Sequence, residues 1–142
     1  MSTHLLAADV AVGTELPAQS FTLKRVDLVK YAGASGDFNV IHWNERVATD
    51  VGLPNVIAHG ILTMAEAVRV VTDWCGDPGA VVEYSTRFTR PVPVPDDDSG
   101  ATVDVTGSVI EILDGGRVRV DLVVTCGGVK VLGMARAVVQ LV

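Results

Sequence analysis

The chain has 142 residues, of which 49% are apolar and 20% charged, and its formal net charge is −6 at pH 7. That length suits one compact domain, and the apolar content argues against disorder. The acidic balance, with lysines and arginines scattered along the chain, argues against sequence-independent nucleic-acid binding, which depends on clustered cations.

The opening Met1-Ser2-Thr3-His4-Leu5-Leu6 lacks the basic region and apolar run of a signal peptide. No apolar stretch reaches the ~18 residues of a membrane helix, so a soluble, cytoplasmic protein is expected. The stretch before Val12 reads as a tail, with His4 exposed. A first short strand is predicted near Ser20 to Leu23, then a helix over about Arg25 to Ala34. A second helix spans about Asn44 to Val51, with Asn44 placed to cap it and Gly52 to end it.

The longest helical pattern runs from Gly60 to Cys75. Ile61, Leu62, Met64, Ala65, Ala67, Val68, Val70, Val71 and Trp74 occupy most of its girth, while Glu66, Arg69 and Asp73 form one narrow polar stripe. A helix apolar over most of its circumference is a buried helix. Gly76 stands where a C-terminal stop belongs. Trp74, like Trp43, reads as a packing residue. Cys75 and Cys126 form no C-x-x-C pair and are expected to be small buried hydrophobes in a reducing compartment.

Beyond this helix the pattern turns to β. A strand is predicted over about Val82 to Val92, leaving through Pro91, Pro93 and Pro95, since prolines suit a strand exit. Ala101 to Leu113 follows. Its apolar phase shifts from Val103 and Val105 to Ile110 and Ile112, which places a bulge at the intervening Gly107. After Asp114-Gly115-Gly116, residues Val118, Val120, Leu122 and Val124 alternate with Arg117, Arg119, Asp121 and Val123, the period of a strand with one face on a core. Gly127-Gly128 reads as a hairpin turn before the last run, Val129 to Val142. One buried helix followed by antiparallel strands is an α+β layer arrangement, in which only a curved sheet can cover so wide an apolar helix face.

The stretch Tyr31 to His42, Y-A-G-A-S-G-D-F-N-V-I-H, carries the chemistry. Ser35, Gly36, Asp37 and Asn39 are turn formers, which sets Asp37 on a loop. Asp37 and His42 are too far apart in sequence to share a helix face, where neighbours are about three or four residues apart, but on a turn they converge. A carboxyl beside an imidazole offers a proton donor and a proton acceptor near neutral pH.

The second segment is Ala58-His59-Gly60-Ile61-Leu62-Thr63, at the start of the long helix. Helix N-termini carry unpaired N–H groups and partial positive charge, so a thioester carbonyl placed there would have its developing negative charge stabilised. Gly60, lacking Cβ, admits a substrate oxygen close to its backbone. Each residue also has a plainer reading: Asp37 as a turn residue, His42 as a histidine held by a backbone carbonyl, His59 as an anchor before the helix, Thr63 as a cap or packing residue. Asp37, His42 and His59 match no standard metal-ligand spacing, so no metal or cofactor is expected.

Taken together, G-D-F-N-V-I-H, with Ala48 beyond it, and A-H-G-I-L-T-M resemble the motifs of the MaoC-like, or hydratase-2, family over nearly the whole chain. The resemblance implies a hot-dog fold, one domain over residues 1–142 in which a curved antiparallel sheet wraps one long central helix. It implies a hydro-lyase: a (3R)-hydroxyacyl thioester dehydratase or, in reverse, an (R)-specific enoyl hydratase. Asp37 and His42 would be the catalytic pair, Asn39 their orienting group and the Gly60 N–H the oxyanion hole, with His59 and Thr63 in the substrate-binding wall. Val40 departs from the family, which has proline there. Proline would hold Asn39 extended, so the departure touches the rigidity of the loop more than its chemistry.

More narrowly, Y-A-G-A-S-G-D, I-H-W and W-C-G-D-P-G-A-V-V-E-Y are similar to the catalytic B subunits of (3R)-hydroxyacyl-carrier-protein dehydratases of mycolic-acid-type fatty-acid elongation. Those subunits pair with a non-identical hot-dog subunit. The expected partners are therefore an acyl thioester on acyl carrier protein or coenzyme A and a second hot-dog subunit, as a homodimer or heterodimer, with no nucleic acid and no membrane. The same fold could serve a thioesterase or a non-catalytic partner subunit. The Asp-x-Asn-x-x-His turn favours hydration over the first, and the intact Asp37 and His42 argue against the second.

Overall fold

The alternating valines of the C-terminal half build the sheet. In a computed structural model, which describes residues 4–142, the strands are β1 (Glu15–Leu23), β2 (Val81–Phe88), β3 (Ala101–Ile112), β4 (Arg117–Cys126) and β5 (Val129–Gln140). They form one antiparallel sheet in the order β1-β3-β4-β5-β2. Val103, Val105 and Val109 of β3 lie on one face with Val120, Leu122 and Val124 of β4, all of them buried. Gly127 and Gly128 turn the β4–β5 hairpin as expected. His4 is exposed, as expected, whereas Met1 to Thr3 of the opening segment lie outside the described residues.

Among the described residues four α-helices accompany the sheet: α1 (Arg25–Ser35), α2 (Glu45–Asp50), α3 (Gly60–Ala67) and α4 (Arg69–Cys75). Asp27 accepts a hydrogen bond from the Lys24 N–H at the start of α1 (2.8 Å). Asn44 caps α2 by accepting from the Val47 N–H at 3.2 Å. Ala67, Val70, Val71 and Cys75 join one apolar cluster with Leu16, Val103, Val120 and Ala137, so α3 and α4 lie on the inner face of the sheet. The Tyr84 hydroxyl of β2 donates to the Met64 carbonyl at 2.7 Å and ties the sheet edge to α3. Burial of that phenol holds its pKa far above the usual 10.0.

Several expected boundaries move. The first strand begins at Glu15, not near Ser20, because a register shift between Leu16 and Gln19 breaks the alternation that would have revealed its first half. The strand predicted to reach Val92 ends at Phe88. Val92 and Val94 are buried instead in an irregular segment, which the Ala58 N–H to Val92 O (2.9 Å) and Val94 N–H to Val56 O (2.8 Å) bonds hold against the chain before α3. The phase change in β3 is real, but its extra residue is Ile110, between the Val109–Val120 and Glu111–Arg119 pairs, not Gly107. The last strand stops at Gln140. Cys126 is half-buried, since it sits at the end of β4 beside the hairpin turn.

The helix predicted over Gly60 to Cys75 is present as two abutting segments. At Val68, the Val71 N–H bonds to the Val68 carbonyl (2.9 Å) in the tighter three-residue pattern. Its girth is less covered than its composition implies, for the sheet reaches one side only: Ile61 is 54% exposed, and Leu62, Val68 and Trp74 are partly so.

Candidate active site

Local backbone chemistry shapes the loop after α1. The helix stops at Gly36, whose φ of 79° is cheap only for glycine. Two side chains then turn the chain: Asp37 Oδ1 accepts from the Asn39 N–H at 3.1 Å, and Asn39 Oδ1 accepts from the Ile41 N–H at 3.3 Å. Asn39 thereby caps a single 3-10 turn, Val40–His42. Trp43, expected to pack, is half-exposed; its indole N–H donates to the Phe38 carbonyl at 3.0 Å because its ring lies over the loop. Arg25, which no sequence pattern singles out, pins the surroundings: it donates to the Val94 carbonyl (2.6 Å), to Glu45 (3.2 Å) and to Asn55.

This turn brings Asp37 and His42 together. His42 is 7% exposed, and its Nδ1 lies 2.7 Å from the Ile57 carbonyl. A carbonyl only accepts, so Nδ1 carries the proton, and in the neutral ring Nε2 keeps the lone pair. Asp37 Oδ2 stands 3.9 Å from that Nε2, beyond hydrogen-bond length. The carboxyl and the basic nitrogen therefore sit side by side without tying each other up.

His59, just before α3, is 1% exposed and packs behind the pair. Its Nε2 donates to the Asp37 backbone carbonyl at 3.1 Å. Its ring stacks on His42 with centroids 3.8 Å apart and planes at 23°, and Tyr31 meets it edge-on at 4.7 Å. Its Nδ1 is buried and has no hydrogen-bond partner among the described residues. Burial above all keeps the pKa of His59 below the usual 6.5; the bond to the Asp37 carbonyl opposes this, and the neighbouring His42 adds to it.

The group opens on a cavity of about 610 Å³ with apolar walls that include Ile57, Phe88, Val131 and Leu132. Gly60 lines it at the start of α3, where a Cβ would meet Phe88 ring carbons at 2.9 Å. Thr63 also lines it, 2% exposed, and its N–H bonds to the His59 carbonyl at 3.2 Å. Among the described residues, the Gly60 N–H has no hydrogen-bond acceptor, as the first turn of a helix leaves it. Phe88, Arg90 and Leu132 were not legible as site residues, since they arrive from β2, its exit and β5. The one local hint was the smallness required at Gly60.

Asp37, His42 and His59 place donor atoms within 4.8 Å of one another. Stacked imidazoles, however, send their in-plane lone pairs side by side, not toward the common point that tetrahedral coordination needs. One nitrogen of each ring already meets a backbone carbonyl. The arrangement fits proton transfer better than metal binding.

The MaoC-like domain profile matches residues 8–125 of the chain. The 3-hydroxyacyl-thioester dehydratase X of Mycobacterium tuberculosis is 37% identical over 79 residues, 56% of this chain and 27% of that protein. The (R)-specific enoyl-CoA hydratase of Rhodospirillum rubrum is 37% identical over 91 residues, 63% of this chain and 62% of that protein. These matches thus span less than two thirds of either relative. A solved MaoC-like dehydratase superposes on 96% of this chain and 42% of its own with a TM-score of 0.92 and 39% identity. The expected hot-dog architecture is therefore the one observed.

Proposed function

The chain belongs to the MaoC-like domain family, and on that footing we propose that it interconverts a (3R)-hydroxyacyl thioester and the matching trans-2-enoyl thioester by removing or adding water. The observation that carries the reading is the fixed polarity of His42. With Nδ1–H held on the Ile57 carbonyl, Nε2 is a base, and the Asp37 carboxyl stands 3.9 Å from it at the cavity wall.

In hydration, His42 Nε2 takes a proton from water as the water oxygen bonds to C3 of the enoyl chain. The electron pair of the double bond moves toward the thioester oxygen, where the Gly60 N–H receives the developing charge. Asp37, as the carboxylic acid, delivers a proton to C2. Water has then been added across the double bond, and the proton on His42 returns to Asp37 to reset the pair. Dehydration runs the same steps backwards. Each proton-transfer group typically contributes ~10² to 10⁴-fold. Asn39 sets the turn that presents Asp37. His59 and Thr63 form the wall beside the oxyanion site, and the apolar walls take the acyl chain.

The pantetheine arm belongs to the substrate, on coenzyme A or acyl carrier protein, in fatty-acid elongation. A second hot-dog subunit, another copy or a related chain, covers the open side of α3 and α4 and the β2 edge; the support is the exposure of Ile61 and Phe88. No described helix is long and apolar enough to cross a membrane, and we place the activity in the cytoplasm.

The test is incubation with crotonyl and longer enoyl thioesters, following loss of the conjugated absorbance and the chirality of the product. A (3R) product supports the reading. A (3S) product, or release of free thiol with no hydration, rejects it.

A further inference from the structure

The proton transfers above do not use His59, although it touches both members of the pair. It is 1% exposed, bonds through Nε2–H to the Asp37 carbonyl at 3.1 Å and stacks at 3.8 Å on His42. Donation from Nε2 fixes the neutral tautomer, with the lone pair on Nδ1, a buried atom with no partner among the described residues. Protonating Nδ1 would create a buried N–H with no acceptor. It would also place a second cation against His42 whenever that ring is charged. Among the described residues, the titratable groups in contact with His59 are Asp37 and His42 from the loop and Tyr31 from α1.

We propose that His59 is a positioning residue: an imidazole that anchors the Asp37 backbone through its N–H and supports the His42 ring through its face, so that the two keep the separation proton transfer needs. The inference rests on the hydratase reading. It makes the two arms of the site mechanically one unit, because the ring that starts α3, next to Gly60, also holds the loop that carries Asp37. Burial keeps the pKa of His59 below the usual 6.5, which favours the neutral ring in this place.

Two substitutions and one spectrum test this. His59→Ala removes both ring and N–H, and the expected result is a loss of about a hundredfold in kcat, the scale of a ~1 Å misplacement of reacting groups, with KM nearly unchanged. His59→Phe keeps the ring and loses the N–H, and is expected to recover the larger part of that loss. Imidazole ¹⁵N NMR of the wild-type chain, which needs no variant to fold and no turnover, should show His59 as the neutral Nε2–H tautomer at the pH of the hydration assay. The proposal is overturned if His59 is an imidazolium or the Nδ1–H tautomer at that pH, if folded His59→Ala keeps wild-type kcat, or if KM rises with kcat unchanged, the mark of a substrate contact. A wild-type chain that hydrates nothing overturns the hydratase reading, and the spectrum separates that outcome from a failure of the His59 tie.

Discussion

Substituting Gly60 by alanine separates stability from activity in a way that follows from the geometry. The added Cβ would lie 2.9 Å from Phe88 Cδ1 and Cε1 and 3.2 Å from Cγ, closer than carbon atoms tolerate. In the single chain Phe88 is 55% exposed, so there its ring can swing out, and the overpacking cost of the free subunit falls at the low end of the usual ~1–3 kcal/mol. Against it stands the preference of alanine over glycine in a helix, at most ~1 kcal/mol at this first position. The two nearly cancel, so Gly60→Ala should unfold in urea within about 1 kcal/mol of wild type. The displaced ring, however, leaves the cavity wall beside the oxyanion donor. Because losing one such donor costs ~10²–10³-fold, hydration of an enoyl thioester should fall by at least about tenfold in kcat/KM. Phe88→Ala removes the clashing ring, so the two substitutions should be strongly non-additive, as contacting residues are. A Gly60→Ala variant with wild-type kcat/KM, or additive effects in the double variant, would refute the account of this wall.

Other outcomes follow from the core, the buried histidine and the open helix face. Leu122→Ala, at a site 1% exposed in the centre of β4, should lower stability by about 2–5 kcal/mol; a loss under about 1 kcal/mol in urea denaturation would mean the inner sheet face is not a closed core. His59 has a folded pKa below its ordinary 6.5, so the unfolded chain binds a proton that the native chain refuses. Its contribution is present above that pH and is lost as pH falls through it, with a slope approaching ~1.4 kcal/mol per pH unit. Chemical denaturation at several pH values should show this slope flattened in His59→Phe. Light scattering should give the mass of a two-subunit assembly, with this chain alone or with a co-expressed related subunit, and a fully active monomer would contradict the covered helix face.

The parts of the site that were legible in the sequence are the local ones. Asp37, Asn39 and His42 lie on one turn whose bends are made by the Asp37 and Asn39 side chains themselves, so residue types alone indicated convergence. The stacking of His59 on His42 was not legible, because it depends on the bond from the Ile57 N–H to the Ile41 carbonyl, which draws the two segments together. Phe88 reaches Gly60 only through the β2–β5 register that pairs it with Leu132. In β3 the alternation showed that the phase changes but not where. Gly107 attracted the bulge, yet its smallness serves packing, since a Cβ there would meet Leu122 Cδ2 at 2.9 Å. The break at Val68 had only a weak sequence signal, since valine is a poorer helix former than Ala67 or Arg69 but recurs within the helix at Val70 and Val71. The wide apolar girth of α3 and α4 pointed to burial that one five-stranded sheet supplies on one side only.

The most direct test of the central claim is the rate of hydration of a trans-2-enoyl thioester by wild type, Asp37→Asn and His42→Ala, each checked for native fold by circular dichroism. Wild type should yield the (3R)-hydroxyacyl product, and the two folded variants should be slower by roughly 10²-fold or more. A folded Asp37→Asn or His42→Ala variant with near wild-type turnover would contradict that claim.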